Sequence, residues 1–125
     1  MKHLLTVNIP GPAPSLNNAY YNNAHGGRTM QTSIRNWKAG VTRVVANAIA
    51  LKGLDFTPHQ KKDLGIEIYF YVPALHKSDW DGHVKIIQDA VIKAMGLDDA
   101  YIVEAHVYKD LDKEDPMSSV NVYAI

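Results

Sequence analysis

Residues 64–72, Leu-Gly-Ile-Glu-Ile-Tyr-Phe-Tyr-Val, constrain the fold most. Leu64, Ile66, Ile68, Phe70 and Val72 alternate with Gly65, Glu67, Tyr69 and Tyr71, a period of two that only a strand with one buried face satisfies. The expected strand runs from Asp63 to Val72 and stops at Pro73. A strand with one apolar face needs a second layer to cover it. The flanking segments supply that layer at helical spacing.

Before the strand, Trp37, Val41, Val44, Val45, Ala48 and Leu51 recur with a helical period. Thr32 or Ser33 can cap this helix, and Gly53 can end it. After the strand, residues 73–80 form a short loop. A second helix is expected from Asp81 to Met95, with Val84, Ile87, Val91 and Ala94 as its buried stripe and Gly96 as its stop. Lys2 to Ile9 reads as a first strand, Tyr101 to Lys109 as a third and Ser118 to Ala124 as a fourth. The last two flank the acidic turn 110–116 and are expected to pair as a hairpin. Residues 10–31, with Pro10, Pro12, Pro14, Asn17, Asn18, Asn22, Asn23 and Gly26-Gly27, read as a long loop. The order β-α-β-α-β-β implies an α+β fold with helices packed on a mixed or antiparallel sheet. The 125 residues fit one domain, 1–125.

Composition narrows the function classes. With 46% hydrophobic and 21% charged residues the chain can bury a core, which excludes a disordered tract. No apolar run is long enough to span a bilayer, so no membrane partner is expected. The first residues do not read as a signal peptide. There is no cysteine, which excludes disulfides, thiolate zinc sites and cysteine nucleophiles, and a cytoplasmic location is expected. The net charge of zero hides an asymmetry. Residues 1–62 hold eight Lys/Arg against Asp55 alone, a net of +7; residues 63–125 hold five against twelve acids, a net of −7. This fits a basic nucleic-acid surface beside an acidic metal site, or two halves that simply attract each other.

The acids are placed with some regularity. Asp79 and Asp81 are two apart, so an extended segment would point both carboxylates to one side. Asp81, Lys85 and Asp89 are spaced by four, so a helix stacks them on one face, away from Val84, Ile87 and Val91. Asp98 and Asp99 follow the helix end and could fold back toward it or act as a cap. Clustered carboxylates repel each other unless a cation joins them, and oxygen ligands suit Mg²⁺ or Mn²⁺. A lysine such as Lys85 could steady charge on a scissile phosphate. Each feature also has a plainer explanation. Asp81 could be only a helix cap, Lys85 and Asp89 a solvated pair, and Asp98-Asp99 a turn.

The pattern Asp79-x-Asp81, Lys85, Asp89 and Asp98-Asp99 resembles the RusA family of Holliday-junction resolvases, closely across about residues 78–103 and elsewhere only in layout. The resemblance implies a homodimeric, Mg²⁺-dependent endonuclease that cuts four-way DNA junctions by paired nicks in recombination and repair, with Mn²⁺ a possible substitute. It implies Asp79, Asp81 and Asp99 as catalytic metal ligands, Asp98 as an assisting ligand, Lys85 as the catalytic lysine and Asp89 as a supporting acid. Gly82 departs from the family, which usually carries Asn there, and this puts any role of that amide in doubt. The alternatives are a nuclease for other branched or flapped DNA and a DNA-binding module without catalysis.

Arg28, Arg35, Lys38 and Arg43 are candidates for DNA phosphate contacts, or simply solvated cations. Tyr20 and Tyr21 could stack on bases or order their own loop. Trp80 is expected in the core or a dimer contact. Tyr69 and Tyr71 are expected under a helix or in a dimer interface. His76 and His83 are expected to be bystanders.

Overall fold

The computed structural model describes residues 2–14, 32–76 and 80–125, and the backbone of 20–22 and 28–30. Four strands make the main sheet: β1 (Lys2–Pro10), β4 (Leu64–Val72), β5 (Ile102–Leu111) and β6 (Met117–Ala124), in the order β1-β6-β4-β5. Helices α1 (Thr32–Lys52) and α2 (Trp80–Ala94) pack on it. A separate two-stranded ribbon, β2 (Tyr20–Asn22) and β3 (Arg28–Met30), lies within the stretch expected to be all loop. Its strands are three residues each, too short for a periodic signal in the sequence.

β4 is the centre of the core. Its alternating residues Leu64, Ile66, Ile68, Phe70 and Val72 are each 2% exposed or less, as their period requires. The chain leaves β4, crosses through α2 and returns as β5 parallel to β4, because a parallel pair needs a long crossover. The expected β5–β6 hairpin does not form. Instead the Asp112 N–H donates to the Val72 carbonyl at 2.9 Å as the chain passes the end of β4. β6 then pairs antiparallel with both β4 and β1. The reason lies in burial: Ser118, Val120 and Val122 are fully buried, which suits a strand flanked on both sides, whereas β5 is half-exposed and takes the edge. The sheet is therefore mixed.

Helix α1 packs against β1 and α2. Ile34, Val41 and Val45 are its buried residues, with Trp37, Val44, Ala48 and Ile49 packed beside them. Leu51, expected on this stripe, is 86% exposed. It lies six residues after Val45, a rotation of about 240° at 100° per residue, which carries it off the apolar face. Both helices stop where the glycines imply. At Gly53 (φ 62°) the following Leu54 N–H donates to the Ile49 carbonyl at 3.0 Å. At Gly96 (φ 74°) the Leu97 N–H reaches the Ile92 carbonyl at 3.1 Å and the Gly96 N–H reaches Lys93 at 3.0 Å, a complete Schellman closure.

The other face of the sheet carries polar and aromatic groups. Tyr69 and Tyr108 stack at 4.8 Å between centroids, and no helix among the described residues covers them. The Asn121 amide donates to Glu67 at 2.8 Å, linking β6 to β4. Gly65 pairs with Tyr123 on one side and Glu104 on the other. The Tyr123 ring lies over Gly65, with the Glu104 carboxylate of β5 close enough to act on its hydroxyl, so this ring spans three strands. Burial, with the Glu104 carboxylate beside it, holds the Tyr123 phenol above its ordinary pKa. A Cβ on Gly65 would overlap that ring. Gly65→Ala should therefore lower stability by about 1–3 kcal/mol in a urea titration, the usual scale of overpacking. In a Tyr123→Ala background the same change should be neutral or favourable, since Ala suits a strand better than Gly by roughly 0.5–1 kcal/mol. An equal cost in both backgrounds would show that the ring is not the cause.

Candidate active site

Helix α2 sets the site. It begins at Trp80, one residue before the expected start, so Asp81 lies in its first turn rather than at a cap or in an extended run. The Asp81 carboxylate is exposed, and its Oδ1 accepts the Gly82 N–H at 3.0 Å. An acid in the first helical turn also faces the positive end of the helix dipole. Asp79 lies outside the described residues. Lys85 follows one turn after Asp81 and is exposed.

The Gly96 closure reverses the chain and brings Leu97, Asp98 and Asp99 back along the helix. Asp98 caps a short 3-10 turn, Asp99–Tyr101, by accepting the Ala100 N–H at 2.9 Å. Asp99 faces the helix, and the Lys85 ammonium donates to its Oδ2 at 3.2 Å. Fourteen residues of chain thus close on one ion pair. A shallow cavity of about 210 Å³ beside it is lined by Asp89, Ile92, Lys93, Leu97, Asp98 and Asp99.

Asp89, on the rim of that cavity, has a partner of its own. It pairs with Lys38 of α1 at 3.6 Å, so it ties the two helices together. This pair links the basic first half to the acidic second half, as mutual attraction of the halves implies. Arg35 and Arg43 of α1 are exposed, and α1 contains no acid along its 21 residues. Arg28 lies in β3 opposite Asn22, and its side chain is outside what the structure describes.

The arrangement can be tested for a divalent cation by its donors. Asp81, Asp98 and Asp99 offer only carboxylate oxygens, the donors of a hard ion. Each spends one oxygen on a described partner. Among the described residues no three acids or histidines converge into a ready-made metal cluster. A hard ion held by few side chains, such as Mg²⁺, fits donors of this kind.

The sequence pattern underrated His83. Its side chain is only 6% exposed and packs on Phe70, with ring centroids 5.6 Å apart. The signal was present: His83, Ile87, Ala90 and Val91 share one face at helical spacing, and all four are buried. Val84 and Ala94, expected in the stripe, are only half-buried. Trp80 tilts against Phe70 at 6.1 Å and is 47% exposed, so it lies at the edge of the core. His76 is exposed.

The ion pairs here hold geometry more than they hold the fold, because partly exposed pairs contribute about 0–1 kcal/mol. Lys85→Met and Asp99→Asn should each leave the unfolding free energy within about 1 kcal/mol of the parent, measured by urea titration. A larger loss would make the pair structural.

Comparison with known proteins gives the family of the chain. The family model described as endodeoxyribonuclease RusA matches residues 10–123. A crossover junction endodeoxyribonuclease RusA of Shigella sonnei (strain Ss046) is 31% identical over 105 residues, covering 83% of this chain and 82% of that protein. The match spans both helices and most of the sheet, and it includes the turn of α2 that carries Asp81 and Lys85 together with the returning Asp98-Asp99. The chain belongs to the RusA family of endodeoxyribonucleases.

Proposed function

We propose that this protein resolves Holliday junctions, cutting four-way DNA by paired nicks in recombination and repair, as a homodimer that requires Mg²⁺ or, in its place, Mn²⁺. The observation that carries the reading is the contact of Lys85 with Asp99 at 3.2 Å beside the first turn of α2, inside a family match of nearly the whole chain. The Shigella relative bears the name of a crossover junction nuclease, which supports a junction as substrate. No helix among the described residues is long and apolar enough to cross a membrane, in keeping with a cytoplasmic enzyme.

Phosphodiester hydrolysis asks for a water aligned on phosphorus and for positive charge on the oxygens that gain electrons. In this reading Asp79, Asp81 and Asp99 would hold the metal, with Asp98 assisting. When bound, the ion supplies Lewis acidity and lowers the pKa of water. Lys85 supplies the second positive charge. Its ammonium donates to Asp99 at 3.2 Å and keeps that carboxylate in place. Its exposure leaves it able to turn to a scissile phosphate and steady the charge that grows there. Asp89 acts at one remove, by fixing α2 to α1 through Lys38. Arg28, Arg35, Lys38 and Arg43 would meet DNA phosphates, Lys38 by exchanging its pairing with Asp89 for a phosphate. Two subunits would place two such sites on opposing strands of one junction.

Asp81→Asn should abolish cleavage of a synthetic four-way junction while leaving junction binding in place. Lys85→Met should lower kcat by roughly 10²–10³, the usual effect of removing one charge-stabilising group. Normal cutting by Asp81→Asn would refute the site assignment. Rates on four-way, flapped and linear duplex DNA decide the substrate: a preference for flaps would replace the junction reading with that of another branched-DNA nuclease. No Mg²⁺-stimulated cutting of any of them would reduce the protein to a DNA-binding module.

A further inference from the structure

The chain between α1 and β4 is firmly seated. Phe56 is 6% exposed in the core, and the Asp55 carboxylate accepts the Thr57 N–H at 3.0 Å. A short 3-10 turn, Thr57–His59, follows, and the Gln60 side chain donates to the Gly96 carbonyl at 3.4 Å. This docks the connection on the closure that sends Asp98 and Asp99 back along α2. Gln60 (φ −64°, ψ 137°) and then Lys61 (φ 58°) follow the pattern of a type II turn. The second of these positions favours glycine, because a side chain at positive φ is crowded by its own backbone. Lys61 is the one non-glycine residue at positive φ among the described residues. It is exposed, so packing gives no reason for its side chain. Its ammonium makes no ion pair among the described residues either.

The surroundings of Lys61 supply the reason. It lines a shallow cavity of about 270 Å³ with Gln60, Gly96, Leu97, Asp98 and Tyr101. The cavity beside the Lys85–Asp99 pair shares Leu97 and Asp98 with it. Lys61 and the Lys85–Asp99 pair therefore lie on either side of the returning turn. Strained backbone persists where the side chain it presents is used. An unpaired ammonium beside this turn suits an anion from outside the chain, and a DNA strand carries such anions at regular spacing. We propose that Lys61 is a DNA-binding residue: it takes a phosphate that flanks the scissile one, on the strand that passes Asp98. The inference rests on the nuclease reading for the identity of the anion. Lys85 works at the scissile phosphate and Lys61 holds its neighbour, so the strand is gripped on both sides of carboxylates that would otherwise repel it.

Three substitutions separate the charge from the backbone. Lys61→Gln removes the cation and keeps a side chain at positive φ; Lys61→Gly removes both; Lys61→Arg keeps the cation. Binding to a labelled four-way junction is followed by fluorescence anisotropy across a salt series, with EDTA in place of Mg²⁺, and folding stability by urea titration. At about 0.1 M salt, Lys61→Gln and Lys61→Gly should weaken binding roughly three- to tenfold, and the slope of log Kd against log salt should fall by about 0.9, the release from one phosphate contact. Lys61→Arg should bind as the parent does. The urea midpoint should rise by roughly 0.2–0.5 M in Lys61→Gly, since glycine enters the left-handed region without penalty, and should stay at the parent value in Lys61→Gln. Parent-like binding and slope in Lys61→Gln would overturn the proposal. So would a lower urea midpoint in Lys61→Gln, the mark of a structural role, or an unchanged midpoint in Lys61→Gly, the mark of a turn without strain. If the parent itself binds no branched DNA, the nuclease reading fails and this inference with it; if the parent binds and Lys61→Gln binds equally, this inference fails alone.

Discussion

The seating of α2 against β4 is the constraint from which the site follows. Ile86, Ile87, Val91 and Ile92 are at most 1% exposed, and they join the core built on Ile66, Ile68 and Phe70. Burying a large aliphatic side chain contributes about 1.5–3 kcal/mol, so this helix is held by its apolar face far more firmly than by any ion pair. With that face fixed, rotation along the helix leaves Asp81 and Lys85 on the open side. The glycine stop at Gly96 then decides where Asp99 returns. Lys85 and Asp99 meet because apolar packing and one left-handed residue put them together, not because their attraction folds the chain.

Much of this was legible in the sequence. The alternation from Leu64 to Val72 predicts the central strand, since a period of two has one structural meaning. Gly53 and Gly96 mark both helix ends, because each occupies a backbone conformation that other residues enter at a cost. The acid and lysine spacing singles out the exposed flank of α2. Three features stayed hidden for physical reasons. The place of β6 depends on which edge of β4 is left after the crossover, and that is a property of the whole sheet. The Lys38–Asp89 pair and the hydrogen bond of the His83 ring with the Pro14 carbonyl join residues far apart in the chain, where no local period applies. The three-residue strands β2 and β3 fall below the length at which a pattern can be read.

The charge division along the chain acquires a structural meaning. Helix α1 carries Arg35, Lys38, Arg43 and Lys52 with no acid, and α2 and its return carry the carboxylates. Among the described residues, only the Lys38–Asp89 contact joins the two helices by charge. The remaining cations of α1 are available to an external anion, beside a flank whose carboxylates would repel that anion unless neutralised. A polyanion and a divalent cation are complementary occupants of such a surface: each reduces the repulsion that the other meets. This is the electrostatic arrangement expected of a nuclease that needs metal to act and basic residues to bind.

The central claim is that the acids of α2 and its return serve metal-dependent cutting of branched DNA. The most direct measurement is strand-resolved cleavage of an end-labelled four-way junction, with Mg²⁺ and with EDTA. The account predicts paired nicks, symmetric on opposing strands, in Mg²⁺ and none in EDTA. Intact junction in Mg²⁺, or equal cutting with the metal removed, would contradict it.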